Sequence, residues 1–228
     1  MQTLSALFYF ITFHPFWAWP VIVMVGAMIS TLLARASGRN AWYALIPVFF
    51  VIGMLNLFTG HMLNAIFLNA FGTIGSGVII QSRMTSSTLN DQNIWDYDVV
   101  LRTADGQDIA ASFDTMSASN YPVRNEILIP PPGERFVTKY IPGVERNFAI
   151  MTDLSAYGIR RNRAIALEPL RTAEARVRVS PANPTFIADY RSALRAFIDE
   201  HGADADPVLL GELRRKLREI EAGSPPGR

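Results

Sequence analysis

The first ninety residues contain no aspartate, no glutamate and no lysine, and their only arginines are Arg35, Arg39 and Arg83; every acidic residue lies at or after Asp91. A water-soluble fold needs a polar face on its surface helices, so it does not exclude charge over so long a stretch. A bilayer does, because a charge at its centre costs roughly 2.5–3.5 kcal/mol on insertion scales. The fold class read from this is a membrane α-helical anchor of about three spans, followed by a small antiparallel β-barrel or sandwich and a C-terminal α-helical hairpin.

Residues 1–82 form the expected transmembrane region, with spans near 16–34, 41–58 and 65–80. Leu4–Phe13 is read either as an interfacial helix or as an extension of the first span. Its aromatics, with Phe16, Trp17 and Trp19, suit a headgroup-level belt. A cleaved signal peptide is the rival reading, since Ala34-Arg35-Ala36 loosely resembles a cleavage site. The apolar stretch is longer than a signal's roughly 7–15 residues, and no basic residue precedes it. One helix over 41–80 would far exceed a hydrocarbon core of about 30 Å, so a hairpin at Gly60-His61 is expected. Basic loops favour the cytoplasm. That rule places Arg35 and Arg39 inside, and a third span brings Arg83 back to the same side. The expected location is the bacterial inner membrane, with the N-terminus outside and the soluble domain in the cytoplasm.

Within the spans, Asn56, Asn64 and Asn69 either line a polar pathway or make interhelical hydrogen bonds. Gly72, Gly75 and Gly77 are read as a site of close helix packing. Residues 83–93 read as a linker. In the β-domain, 94–152, Trp95, Tyr97, Val99 and Leu101 alternate with Asp96, Asp98, Val100 and Arg102, as in a half-buried strand. Asp105-Gly106 signals a hairpin turn, with Ile109, Ala111 and Phe113 returning. Further strands are expected over Glu126–Ile129, Arg135–Ile141 and Asn147–Thr152, punctuated by Pro130-Pro131-Pro132-Gly133 and Pro142-Gly143.

Gly75-Ser-Gly77-Val, Tyr97-x-Val, Asp105-Gly106, Tyr140-x-Pro142-Gly143 and Phe148-x-Ile150 together resemble bacterial families of unknown function that carry a small β-domain on membrane helices. The likeness covers roughly residues 72–152. It implies a β-domain that is often extracytoplasmic and flanked by helices on both sides; this chain places no apolar span after its domain. The likeness implies no catalytic residues.

Residues 153–183 read as an arginine-rich connector. Across Tyr157–Val179, Arg160, Arg161, Arg163, Arg171, Arg176 and Arg178 are set against only Glu168 and Glu174. They either attract anionic lipid headgroups, at about 1 kcal/mol per basic residue near the surface, or simply solvate the segment. Residues 184–228 form the terminal hairpin and tail. Pro184 opens a helix with the stripe Ile187, Tyr190, Leu194, Phe197 and Ile198. Asp206 caps a second with the stripe Leu210, Leu213, Leu217 and Ile220. The stripes pack on each other or on a partner, and Ser224–Arg228 is read as a frayed tail.

No cysteine is present, so thiolate catalysis and disulfides are excluded. His14, His61 and His201 lack the neighbour spacing of a metal-binding helix. Asp96 and Asp98 read as a solvent-facing pair, and no nucleophile motif appears. The net charge of +1 speaks against nucleic acid. No cofactor, metal site or enzymatic activity is expected. The expected role is a non-catalytic subunit that anchors a larger complex. Its partners would be the lipid bilayer and other subunits or its own copies. The alternative is a small transporter or channel component that builds its pathway by oligomerisation.

Overall fold

The computed structural model describes residues 1–89, 91–203 and 205–222. The expected tail, Ser224–Arg228, lies outside them. The chain divides into two compact units, Met1–Ile159 and the part from Arg160 onward.

The first unit begins with α1 (Gln2–Phe13), broken from α2 (Pro15–Ser37) at His14. Pro15 lacks the amide that would continue the ladder, which makes it a natural first residue of a new helix. Gly38, at φ +66°, ends α2, and a short 3₁₀ turn over Asn40–Ala44 leads into α3 (Leu45–Phe71). α2 and α3 are each long and apolar enough to cross a membrane, and only 17 % and 11 % of their most apolar windows are buried. A core helix of a soluble protein would be mostly covered.

α1 and α2 run one after the other along α3. Phe8 stacks on Phe67 (4.7 Å between ring centroids), Thr12 Oγ1 donates to the Gly60 carbonyl (3.4 Å), and Trp19 meets Phe50 edge-on (5.1 Å). Gly53 allows this approach: a Cβ there would lie 2.5 Å from Trp19 Cδ1. Small residues at such crossings gain packing that lipid cannot supply.

The hairpin expected at Gly60-His61 is absent, since α3 runs through it unbroken. The third span is likewise replaced. Its first residues finish α3, Gly72 is the joint, and Thr73 starts strand β1 (Thr73–Leu89). The run is apolar for a different reason. β1 is paired on both sides within a sheet, and central strands are rich in β-branched residues such as Val78, Ile79 and Ile80. Gly75 and Gly77 serve the sheet rather than a helix crossing. A Cβ at Gly77 would lie 2.6 Å from Phe136 Cζ, and one at Gly75 would lie 2.9 Å from Tyr140 Cε1.

The sheet has six strands in the order β3-β2-β1-β5-β6-β4. They are β2 (Gln92–Arg102), β3 (Asp108–Asp114), β4 (Asn120–Tyr121), β5 (Arg135–Ile141) and β6 (Val144–Met151). All neighbours are antiparallel except β4 and β6, so the sheet is mixed. It is one open sheet that curls until Phe113 of β3 touches Phe148 of β6 (5.9 Å, edge-on), rather than a closed barrel or a sandwich. Ile79, Val99, Leu101, Phe136 and Ile150 fill the inside of that curl. Ile141, Ala149 and Met151 instead pack with Ala65, Phe67 and Leu68 of α3.

The β-domain therefore starts at Thr73 rather than at residue 94. Of the expected linker over 83–93, residues 83–89 and 92–93 belong to the far end of the β1–β2 pair, where Met84 lies opposite Trp95 and Leu89 opposite Gln92, and residue 90 lies outside the described residues. Glu126–Ile129 forms no strand. Prolines on either side, Pro122 and Pro130–Pro132, keep it in a loop.

The arginine-rich connector is a helix, α4 (Ala156–Val179). In the second unit its Leu170, Ala173 and Val177 join Tyr190, Leu194 and Phe197 of α5 (Pro184–His201) and Leu213 and Ile220 of α6 (Pro207–Glu221). The expected two-helix hairpin is thus completed by a third helix. Asn183 and Asp206 cap α5 and α6: Asp206 Oδ1 accepts from Val208 N (2.9 Å) and Leu209 N (3.1 Å).

Candidate functional site

Two polar constellations of the first unit lie where α3 meets the β-domain. One is closed and fully buried. Asn64 Nδ2 donates to Asn147 Oδ1 (2.8 Å) and Ser119 Oγ (2.9 Å). Asn147 Nδ2 donates back to Asn64 Oδ1 (3.1 Å) and to the carbonyl and hydroxyl oxygens of Ser5 (3.0 Å each). Asn64, Asn147 and Ser5 are all 0 % exposed. One amide pair thus ties α1, α3, β6 and the approach to β4 together. Buried amides persist only when paired, and breaking such a pair costs the desolvation of the group left behind.

The other two asparagines expected within the spans also make ties between elements. Asn56 Nδ2 donates to the Ile11 carbonyl (2.9 Å), joining α3 to α1. Asn69 Oδ1 accepts from Lys139 Nζ (3.0 Å), joining α3 to β5. The three are not gathered around a common channel. Each makes a separate tie to a different element.

The second constellation is an open cleft of about 620 Å³. His61 and Met62 of α3 form one wall, and Leu89, Gln92, Asn93 and Ile94 at the β1–β2 end form another. Thr115, Met116 and Asn120 with the loop from Val123 to Ile127 complete it. Both side-chain amide atoms of Asn120 are buried and have no hydrogen-bond partner among the described residues. Arg124 is fixed by a two-pronged bond to Asp153 (2.9 and 2.8 Å), the geometry that makes arginine–carboxylate pairs directional. Behind this wall, Tyr157 donates to the Leu128 carbonyl (3.3 Å) and accepts from the Thr152 hydroxyl (3.2 Å), and burial pushes its hydroxyl up to about 12.

In the second unit the arginines decorate α4 away from its core stripe. Arg171 pairs with Glu168 at 3.7 Å, while Arg176 and Arg178 sit exposed in the last turn, where positive charge complements the helix dipole. Arg160, Arg161 and Arg163 fall in the same helix. Inside the bundle, the Lys216 ammonium bonded to Glu174 (2.7 Å) holds that carboxyl below the usual carboxylate range. Burial, with Glu174 beside it, raises the Tyr190 hydroxyl.

Among the described residues no group of three histidines, cysteines or carboxylates is placed to hold a metal ion. His14 sits at the break between α1 and α2, His61 lies within α3, and His201 ends α5. Asn147, Ser119, Ser5, Asn120 and Arg124 carry the geometry here without a signal in the sequence. Each is a common polar residue whose partner lies far along the chain. Comparison with protein families, curated proteins and solved structures gives no match.

Proposed function

We propose that this chain is a non-catalytic mount in a bacterial inner membrane, holding its β-domain and terminal helices for assembly with other subunits or with further copies of itself. The supporting observation is the buried Asn64–Asn147 pair with Ser5 and Ser119. Together with the one-residue joint at Gly72, it makes the membrane helices and the sheet a single body rather than a tethered pair. Carriers and channels need polar groups turned toward a path, and Asn56, Asn64 and Asn69 are all engaged in internal ties.

The same contacts bear on sidedness. The expectation of a cytoplasmic domain depended on a third span. Gln2 Nε2 donates to the Pro142 carbonyl (2.9 Å) and Ser5 accepts from Asn147, so α1 and the β-domain share one side. With two spans, the basic Arg35/Arg39 loop directs that side outward. Large domains translocate regardless of their own charge, so the arginines beyond Arg83 do not oppose this. The likeness to families with an extracytoplasmic β-domain on membrane helices points the same way.

Assembly is tested by purifying the chain in mild detergent and measuring the protein mass of the complex by light scattering. A mass of several chains, or a stoichiometric second protein, is expected. A lone monomer at all concentrations, with no co-purifying protein, would contradict the proposal.

A further inference from the structure

We infer that the open cleft is a lipid-docking site, filled by a phospholipid of the leaflet next to the β-domain. This rests on the reading of α2 and α3 as membrane spans. His61 and Met62 lie about 24 Å along α3 from Leu45, near the far edge of a hydrocarbon core roughly 30 Å thick. The cleft therefore opens at the depth of that leaflet's headgroups and upper acyl chains.

Its rim has the right chemistry for that depth. Leu89, Met116, Val123 and Ile127 are all substantially exposed there, at 45, 36, 37 and 44 %. Exposed apolar groups gathered around one opening call for an apolar occupant. Continuity with the lipid-facing surface names that occupant. Leu55, Phe58 and Met62 fall on one face of α3 at three- and four-residue spacing. Leu55 and Phe58 are exposed, and Met62 lines the cleft, so one apolar stripe leads from the span into the opening.

The polar side of the cleft suits a headgroup. Asn93 and Gln92 line it together with Arg124 and Glu126, so the lining carries one charge of each sign rather than a cationic patch. An acyl chain would lie along Met62, Leu89 and Ile127, with the headgroup toward Arg124. Because the lining is balanced, anionic lipid should not be required.

The absence of cysteine makes the test clean. Single variants Phe58→Cys, Ile127→Cys and Gln107→Cys carry a fluorescent label in vesicles of phosphatidylethanolamine and phosphatidylglycerol with acyl-brominated chains. Strong quenching at Phe58, comparable quenching at Ile127 and none at Gln107 is expected, unchanged when the phosphatidylglycerol fraction is varied. In parallel, native mass spectrometry should show a lipid retained by the unmodified chain and lost from Ile127→Asp. Quenching at Phe58 without quenching at Ile127 overturns the lipid site but leaves the spans standing. No quenching at Phe58 overturns the membrane reading itself. Quenching at Ile127 with no lipid retained by the unmodified chain means that the rim rests on the membrane without binding lipid, which also overturns the site.

Discussion

Asn64 and Asn147 illustrate what a single amide does when water is excluded. Each donates to and accepts from the other, so truncating one strands the other's amide oxygen in a dry interface, while its amide nitrogen keeps Ser119 or Ser5. Asn147→Ala is expected to destabilise the first unit by about 1–3 kcal/mol. A double-mutant cycle with Asn64→Ala should then recover part of the loss, because the second truncation removes the stranded group. Denaturant unfolding in detergent measures both; additive losses would mean the pair does not couple. Tyr157 gives a pH signature. Its folded-state pKa is raised by burial, so its contribution is complete below its ordinary value near 10 and is lost as pH climbs toward about 12. Melting temperature should fall over that window, and Tyr157→Phe should blunt the fall. Tyr190 is raised in the same direction and leaves a residual decline in the second unit. None of the partner residues was legible in advance. Asn64 stood out because it is polar in an apolar run, whereas Asn147 sits among strand residues where one more polar side chain is unremarkable.

At the scale of elements, local chemistry was read well where it was self-contained. Pro184 and Asp206 mark the starts of α5 and α6 because capping depends on residues two or three positions away. The β2–β3 hairpin follows from alternation and Asp105-Gly106. The error lay at Gly60-His61 and in the apolar run after it. Polarity alone cannot tell a lipid-facing helix from a sheet's central strand, since both exclude water. Length arguments then divided a helix that in fact runs unbroken to Phe71, where it meets α1 and the sheet. Phe8 and Phe67 report on this directly. The double variant Phe8→Cys/Phe67→Cys should be bridged within one chain by a short bifunctional maleimide, seen as a mobility shift on gels. Absence of that bridge, with both thiols reactive, would restore the broken helix. In the second unit, Lys216 holds the Glu174 carboxyl low, so their pairing contributes above the ordinary carboxylate range and is lost as pH falls through the depressed value. Glu174→Gln should flatten the acid limb of that unit's unfolding.

For the whole molecule, parity of spans decides which compartment the β-domain occupies. A first third with no acidic residue or lysine, and only Arg35 and Arg39 as charges, is what a bilayer demands, but the number of crossings depends on where one helix ends. The ties from Gln2 to Pro142 and from Asn147 to Ser5 require the first helix and the sheet to be on one side, which an odd number of spans does not allow. The most direct measurement is labelling with a membrane-impermeant maleimide in intact cells whose outer membrane has been permeabilised. The two variants are Gln107→Cys in the β2–β3 turn and Ala36→Cys in the basic loop. Gln107→Cys should be labelled at once, and Ala36→Cys only after the inner membrane is broken. Protection of Gln107→Cys, or equal labelling of both before lysis, would contradict a two-span mount with its β-domain outside.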